Sequence, residues 1–224
     1  MVKKAKVVGE VDEFCVNTNE MVNLPVQLYG ANYFCSSVYS LIEPKFLDTL
    51  RKISKLYLDE SKKKTKLDKT FPIAQGDNMF TDPRISDFVG FVTGAAHQVL
   101  TSQGYNVTGL KMIYTEMWAQ EHHTGSGHEE HIHGMGNQIS GFYFLDTPKD
   151  GPRVVFHDPR PAKVYANLPE ADIAQVSLAS NMINYTPEPG LMILTNSWLP
   201  HTIQRNPSKQ PLRLIHFNLA VTNA

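Results

Sequence analysis

Two stretches of the chain repeat apolar residues at helical spacing, and most of the remainder runs in short strand-like lengths. From Glu43 to about Lys63, residues Phe46, Leu47, Leu50, Ile53 and Tyr57 recur on one face. Pro44 suits a first helical turn. The lysines at 62, 63, 64, 66 and 69 follow as a solvated, dipole-complementing end. A second helix is predicted from Thr81-Asp82-Pro83, which offers a cap and a first-turn proline, to a stop at Gly104. Ile85, Phe88, Val89, Val92, Ala96, Val99 and Leu100 mark its buried face. Ahead of these helices lie short β-like runs at Lys6 to Val8, Val22 to Tyr29 and Phe34 to Leu41.

After Gly104 the period changes. Tyr105 to Ala119, Gln138 to Leu145, Arg153 to His157, Leu191 to Thr195, His201 to Arg205 and Leu212 to Val221 read as strands. Proline- and glycine-rich turns separate them, at Thr147 to Pro152, Asp158 to Pro161, Thr186 to Gly190 and Asn206 to Ser208. The expected fold is mainly β with N-terminal helices, a sandwich or barrel with helices covering one sheet face. One domain over residues 1–224 is expected: 1–104 as support and 105–224 as the core.

Composition narrows the function classes. Charge is nearly balanced, 21 Lys+Arg against 22 Asp+Glu, so nothing global points to nucleic acid or an anionic membrane. The two cysteines, Cys15 and Cys35, are too few for a disulfide scaffold and read as buried or free thiols in a reducing compartment. The basic start is not followed by a long apolar run, and no stretch approaches a membrane span, so a cytoplasmic protein is expected.

The chemistry concentrates in histidines. Of nine, five lie between positions 122 and 133, in the run ending His128-Glu129-Glu130-His131-Ile132-His133. On an extended strand residues i and i+2 share a face, so either His131 with His133 or His128 with Glu130 could meet one ion. His201, far downstream in Ser197-Trp198-Leu199-Pro200-His201, supplies a third ligand. Three protein ligands on one side of an ion leave positions open for co-substrate and oxygen, as in non-heme Fe(II) sites.

The motifs Trp118-Ala119-Gln120, His131-Ile132-His133, Ser140-Gly141-Phe142-Tyr143-Phe144, Phe156-His157-Asp158-Pro159-Arg160, Ser197-Trp198-Leu199-Pro200-His201 and Phe217-Asn218 stand in order. Over about Trp118 to Asn218 the chain resembles a family of 2-oxoglutarate/Fe(II) oxygenases of bacteria and of T4-like phages and cyanophages, and more distantly the prolyl hydroxylases. The resemblance implies a double-stranded β-helix, a jelly-roll sandwich. It implies Fe(II) held by His131, His133 and His201, with His133 where Asp or Glu usually stands, and it favours this set over His128 and Glu130. It implies 2-oxoglutarate as co-substrate, oxygen as second substrate, and hydroxylation of a C–H bond in a peptide side chain such as prolyl, or in a small molecule.

The far carboxylate of 2-oxoglutarate calls for a guanidinium. The resemblance puts it on the strand after the last histidine, at Arg213, with Arg205 as the alternative. Tyr143 and Gln120 are expected as further hydrogen-bond partners, since Phe144 and Ile215 replace polar residues of the family. His216 is expected to face away from the site, and Trp118 and Trp198 to anchor the core. Two other classes stay open: a three-histidine dioxygenase without 2-oxoglutarate, and a non-enzymatic jelly roll of virion or binding type. The substrate and the oligomeric state are not legible, because specificity in such folds lives in loops.

Overall fold

The computed structural model describes residues 29–31, 38–160, 168–174, 176–177 and 179–223. The runs expected at Lys6 to Val8 and over most of Val22 to Tyr29, and both cysteines, lie outside the described residues.

The strands are β1 (Tyr29–Ala31), β2 (Val38–Ile42), β3 (Ile73–Gln75), β4 (Leu110–His122), β5 (His128–His131), β6 (Asn137–Asp146), β7 (Val154–His157), β8 (Met182–Tyr185), β9 (Leu191–Asn196), β10 (His201–Ile203) and β11 (Leu212–Asn223). Among the described residues two helices, α1 (Leu47–Lys64) and α2 (Ser86–Ser102), precede β4, each entered through a short 3-10 turn that carries a proline. Asp82 caps the second turn by accepting a hydrogen bond from the Arg84 amide. Both helices fall where apolar spacing put them. β4 begins later and ends later than expected, so Gln120 to His122 belong to a strand rather than to a loop.

The described strands form two antiparallel sheets. The larger has the order β1-β2-β9-β6-β11-β4-β3, the smaller β5-β10-β7-β8. In the large sheet β6, β9 and β11 are buried on both faces over most of their length, which is why they read as nearly continuous apolar runs. On one face Met117, Ala119, Ile139, Tyr143, Met192, Leu194, Ile215 and Phe217 pack against α1 and α2. On the other, Phe142, Phe144, Leu191, Ile193, Leu212 and Leu214 meet Val154, Phe156, Ile183 and Ile203 of the small sheet. This second core is the interior of the sandwich, and it holds the histidines. Side-chain alternation therefore sorts every residue of β4, β6 and β11 to a helix face or an interior face.

Glycine lets two of these strands approach closely. A Cβ on Gly141 of β6 would lie 2.4 Å from the Phe217 ring and 2.6 Å from the Ile193 carbonyl. One on Gly127, just before β5, would lie 2.6 Å from the Ile203 carbonyl of β10. That second contact seats β5 against β10 and brings the histidine run to His201.

Candidate metal centre

β5 and β10 pair with His201 opposite His131 and Ile203 opposite His128, a register with a bulge. Three residues of β10 thus lie opposite four of β5, and His128 and His131 both turn inward. Glu130 turns outward, 59% exposed, to face His157 Nδ1 at 3.6 Å. The strict alternation that would pair His128 with Glu130 is broken by this bulge, and the structure does not bring those two together. His133 lies beyond the strand end, where its amide donates to the Ser197 carbonyl at 2.8 Å.

His131, His133 and His201 converge, with ligand nitrogens all within 4.8 Å of one another. Backbone carbonyls fix two of the rings. His131 Nδ1 lies 2.7 Å from the Glu129 oxygen and His201 Nδ1 3.0 Å from the Leu199 oxygen. A carbonyl only accepts, so each Nδ1 carries the proton and each Nε2 presents a lone pair. His201 Nε2 stands 3.2 Å from His133 Nε2. Two nitrogens bound side by side to one ion at roughly 2.1 Å each lie about 3 Å apart. The donor set fits a borderline divalent metal such as Fe(II), for which imidazole is a suitable ligand.

The rings extend into a longer row. His122 neighbours His128 at 5.0 Å between centroids, His128 neighbours His131 at 5.6 Å, and His133 neighbours His216 at 4.6 Å. Burial pushes His122 and His201 down to about 3, and His128 and His133 down to about 4, with neighbouring histidines adding to each shift. Burial drives His216 well below its ordinary value. These five rings are neutral at pH 7, the state in which imidazole binds metal. Phe142 and Phe156 cover His201 at 5.5 and 5.8 Å.

His216 was expected to face away from the site; it faces in. On β11 the helix-side positions are Ile215 and Phe217, so His216 and Asn218 share the interior face with Leu212 and Leu214. The same alternation on β4 turns Glu116, Trp118, Gln120 and His122 inward, opposite Met117 and Ala119. Asn218 Nδ2 donates to Glu116 Oε2 at 2.6 Å and sits 3.2 Å from His133 Nδ1, while Asn218 Oδ1 accepts from Ser140 Oγ at 2.6 Å. Glu116, His216 and Asn218 were not singled out from the sequence as site residues. The signal was the parity of Ile215 and Phe217, whose apolar side faces the helices rather than the sandwich interior.

The same parity removes Arg213 from the co-substrate role. It lies on the helix face, where Nε donates to Glu121 Oε2 at 2.5 Å and Nη1 to Asp146 Oδ2 at 3.1 Å. Lys62 of α1 also bonds Glu121. Burial pushes Glu121 up, but the hydrogen bonds from Lys62 and Arg213 outweigh it and hold the carboxyl below its ordinary range. Tyr143 is on the helix face too, its hydroxyl donating to the Glu43 carbonyl at 2.7 Å. Arg205 reaches along the surface to Glu129 at 3.0 Å, over the Phe71 ring. Of the residues expected at the co-substrate, Gln120 alone is on the histidine side, 3.3 Å from His122 Nε2 and donating to Gln75. The interior thus fits a metal, whereas the guanidinium expected for a far carboxylate does not reach it. Trp198, expected in the core, is 42% exposed.

Residues 116–218 match the family model described as "Putative 2OG-Fe(II) oxygenase". No curated protein matches the chain significantly. The fold is similar to that of a Pseudomonas putida prolyl-4-hydroxylase, with TM-score 0.53 and 11% identity over 82% of this chain and 92% of that one. It is also similar to AviO1 from Streptomyces viridochromogenes, with TM-score 0.55 and 12% identity over 82% and 89% of the two chains. The alpha-ketoglutarate-dependent epimerase SnoN gives TM-score 0.55 and 9% identity over 82% and 78%. These likenesses establish the jelly-roll fold. Residues 116–218, which carry all three converging histidines, match the family of 2OG-Fe(II) oxygenases, oxidoreductases that use Fe(II) and 2-oxoglutarate.

Proposed function

We propose that His131, His133 and His201 hold one Fe(II) and that the chain hydroxylates a C–H bond of a peptide side chain or small molecule. The carrying observation is the 3.2 Å approach of two Nε2 atoms, one of them on a ring whose tautomer a backbone carbonyl fixes. When bound, Fe(II) and 2-oxoglutarate activate oxygen for attack on a C–H bond. The chain's own residues do the rest. The carbonyls of Glu129 and Leu199 orient the ligand rings, and Phe142 and Phe156 exclude water behind His201. Gln120, on the histidine side, is the residue we propose as a neutral donor toward the co-substrate.

A peptide substrate is supported by the fold likeness to the Pseudomonas prolyl-4-hydroxylase. The apolar residues Ile132, Met135 and Trp198, next to the ligands in sequence, are 53%, 104% and 42% exposed and suit a substrate with apolar parts. We further propose one domain over 1–224 and a cytoplasmic setting; among the described residues no helix is long and apolar enough to cross a membrane.

Anaerobic Fe(II) loading, followed by oxygen uptake and succinate detection with 2-oxoglutarate, tests the proposal. Iron-dependent succinate formation is expected in the wild type and none in His201→Ala. The placement of Arg213 favours a second reading, a three-histidine dioxygenase without 2-oxoglutarate. Iron-dependent oxygen uptake with no succinate would select it.

A further inference from the structure

We propose that Glu116, His133 and His216, with the Asn218 carboxamide among them, form a second divalent-cation site beside the one proposed for His131, His133 and His201. Glu116, His133 and His216 each offer a ligand atom, all within 4.8 Å of one another. His216 is only 3% exposed, and neither of its ring nitrogens has a hydrogen-bond partner. A buried polar group left without a partner is costly, so this ring calls for a ligand to meet it. The group facing it across the cluster is a carboxylate, which calls for a cation rather than an anion.

His133 serves both sites through opposite edges. Its Nε2 faces His201 at 3.2 Å, while its Nδ1 faces Asn218, which in turn touches Glu116 at 2.6 Å. With a metal on each side, the ring gives up its N–H proton to solvent and bridges as an imidazolate, which has a lone pair at each nitrogen. Asn218 is fully buried, and a half-turn of its amide exchanges Oδ1 for Nδ2. Its Oδ1 then points at the cation, and its Nδ2 donates to the Ser140 hydroxyl that now donates to it. The resulting set is two imidazoles, one carboxylate and one amide oxygen, suited to Fe(II), Co(II), Zn(II) or Mn(II). It also supplies the carboxylate that three histidines alone lack.

Anaerobic Co2+ titration of the purified full chain, with metal content counted per chain, tests this. Glu116→Gln keeps the shape of the side chain, and His216→Phe fills the ring's space; melting curves verify that each is folded. Two Co2+ per wild-type chain are expected, falling to one in Glu116→Gln, one in His216→Phe and one in His201→Ala. A wild type that binds one Co2+, unchanged in Glu116→Gln, overturns the second site and leaves the first standing. Two Co2+ in all three variants overturn it as well. One Co2+ that Glu116→Gln abolishes and His201→Ala retains supports this site and refutes the ligand set proposed above.

Discussion

Replacing Arg213 by alanine removes a cation from the face of β11 that packs on α1, away from the histidines. Its main partner, Glu121, has a side chain only 2% exposed, and the Nε–Oε2 bond is 2.5 Å long. Glu121 keeps Lys62, and Asp146 keeps Arg51 at 2.9 Å, so neither acid is stripped of all its partners. The loss is therefore one charged hydrogen bond to a buried carboxylate, about 1.5–3 kcal/mol. To this is added a half-exposed pair to Asp146, about 0.5 kcal/mol after solvent screening. For a chain of this size, roughly 2–3.5 kcal/mol lowers Tm by about 4–14 °C. Glu121 is held below its ordinary range, so its contribution is complete above that range and is lost as pH falls through the folded value. Urea unfolding should thus show the largest gap between wild type and variant at neutral pH, closing in acid. Iron content and the 2-oxoglutarate concentration for half-maximal turnover should not change. A variant with wild-type stability and a sharply raised 2-oxoglutarate requirement would show that Arg213 reaches the interior, and the face assignment would be wrong.

Other perturbations read separate parts of the structure. Gly141→Ala drives a methyl into the Phe217 ring and the Ile193 carbonyl, and should cost about 3 kcal/mol in urea unfolding; an unchanged midpoint would mean that β6 and β11 are not so close. Glu130→Gln should leave Fe(II) stoichiometry unaltered, because that carboxylate faces His157; lost iron would restore the His128 and Glu130 register. The metal-free protein should lose stability as pH falls from about 6.5 toward 4. There the unfolded chain binds protons that the buried histidines refuse, at up to ~1.4 kcal/mol per pH unit for each ring. Urea midpoints that stay flat between pH 7 and 5 would contradict their burial.

The helices were legible because a period near 3.6 survives whatever packs against them, and Phe88, Val92 and Val99 do line the core. The strands were legible in number and approximate place. Which side of each strand faced the sandwich interior was not. In β11 both faces are buried, so Arg213, Ile215 and His216 carried no inward or outward contrast in the sequence. The strand's polarity is set by α1, which supplies Lys62 to Glu121 on one side, and by the small sheet, which supplies the apolar interior on the other. The bulge between β5 and β10 was likewise invisible, since it depends on Gly127 allowing the close approach of a strand more than 70 residues downstream. His131, His133 and His201 could be named together because they stand in two of the ordered motifs, His131-Ile132-His133 and Ser197-Trp198-Leu199-Pro200-His201. Glu116 and Asn218 reach the cluster through cross-strand register, Glu116 opposite Asn218, which only the folded sheet displays.

Crystals grown anaerobically with Fe(II), measured on both sides of the iron absorption edge, put the ligand set to the most direct test. An anomalous peak is expected within bonding distance of Nε2 of His131, His133 and His201 together. Iron density that leaves out any one of those three rings, or none at all in iron-loaded protein, would contradict it.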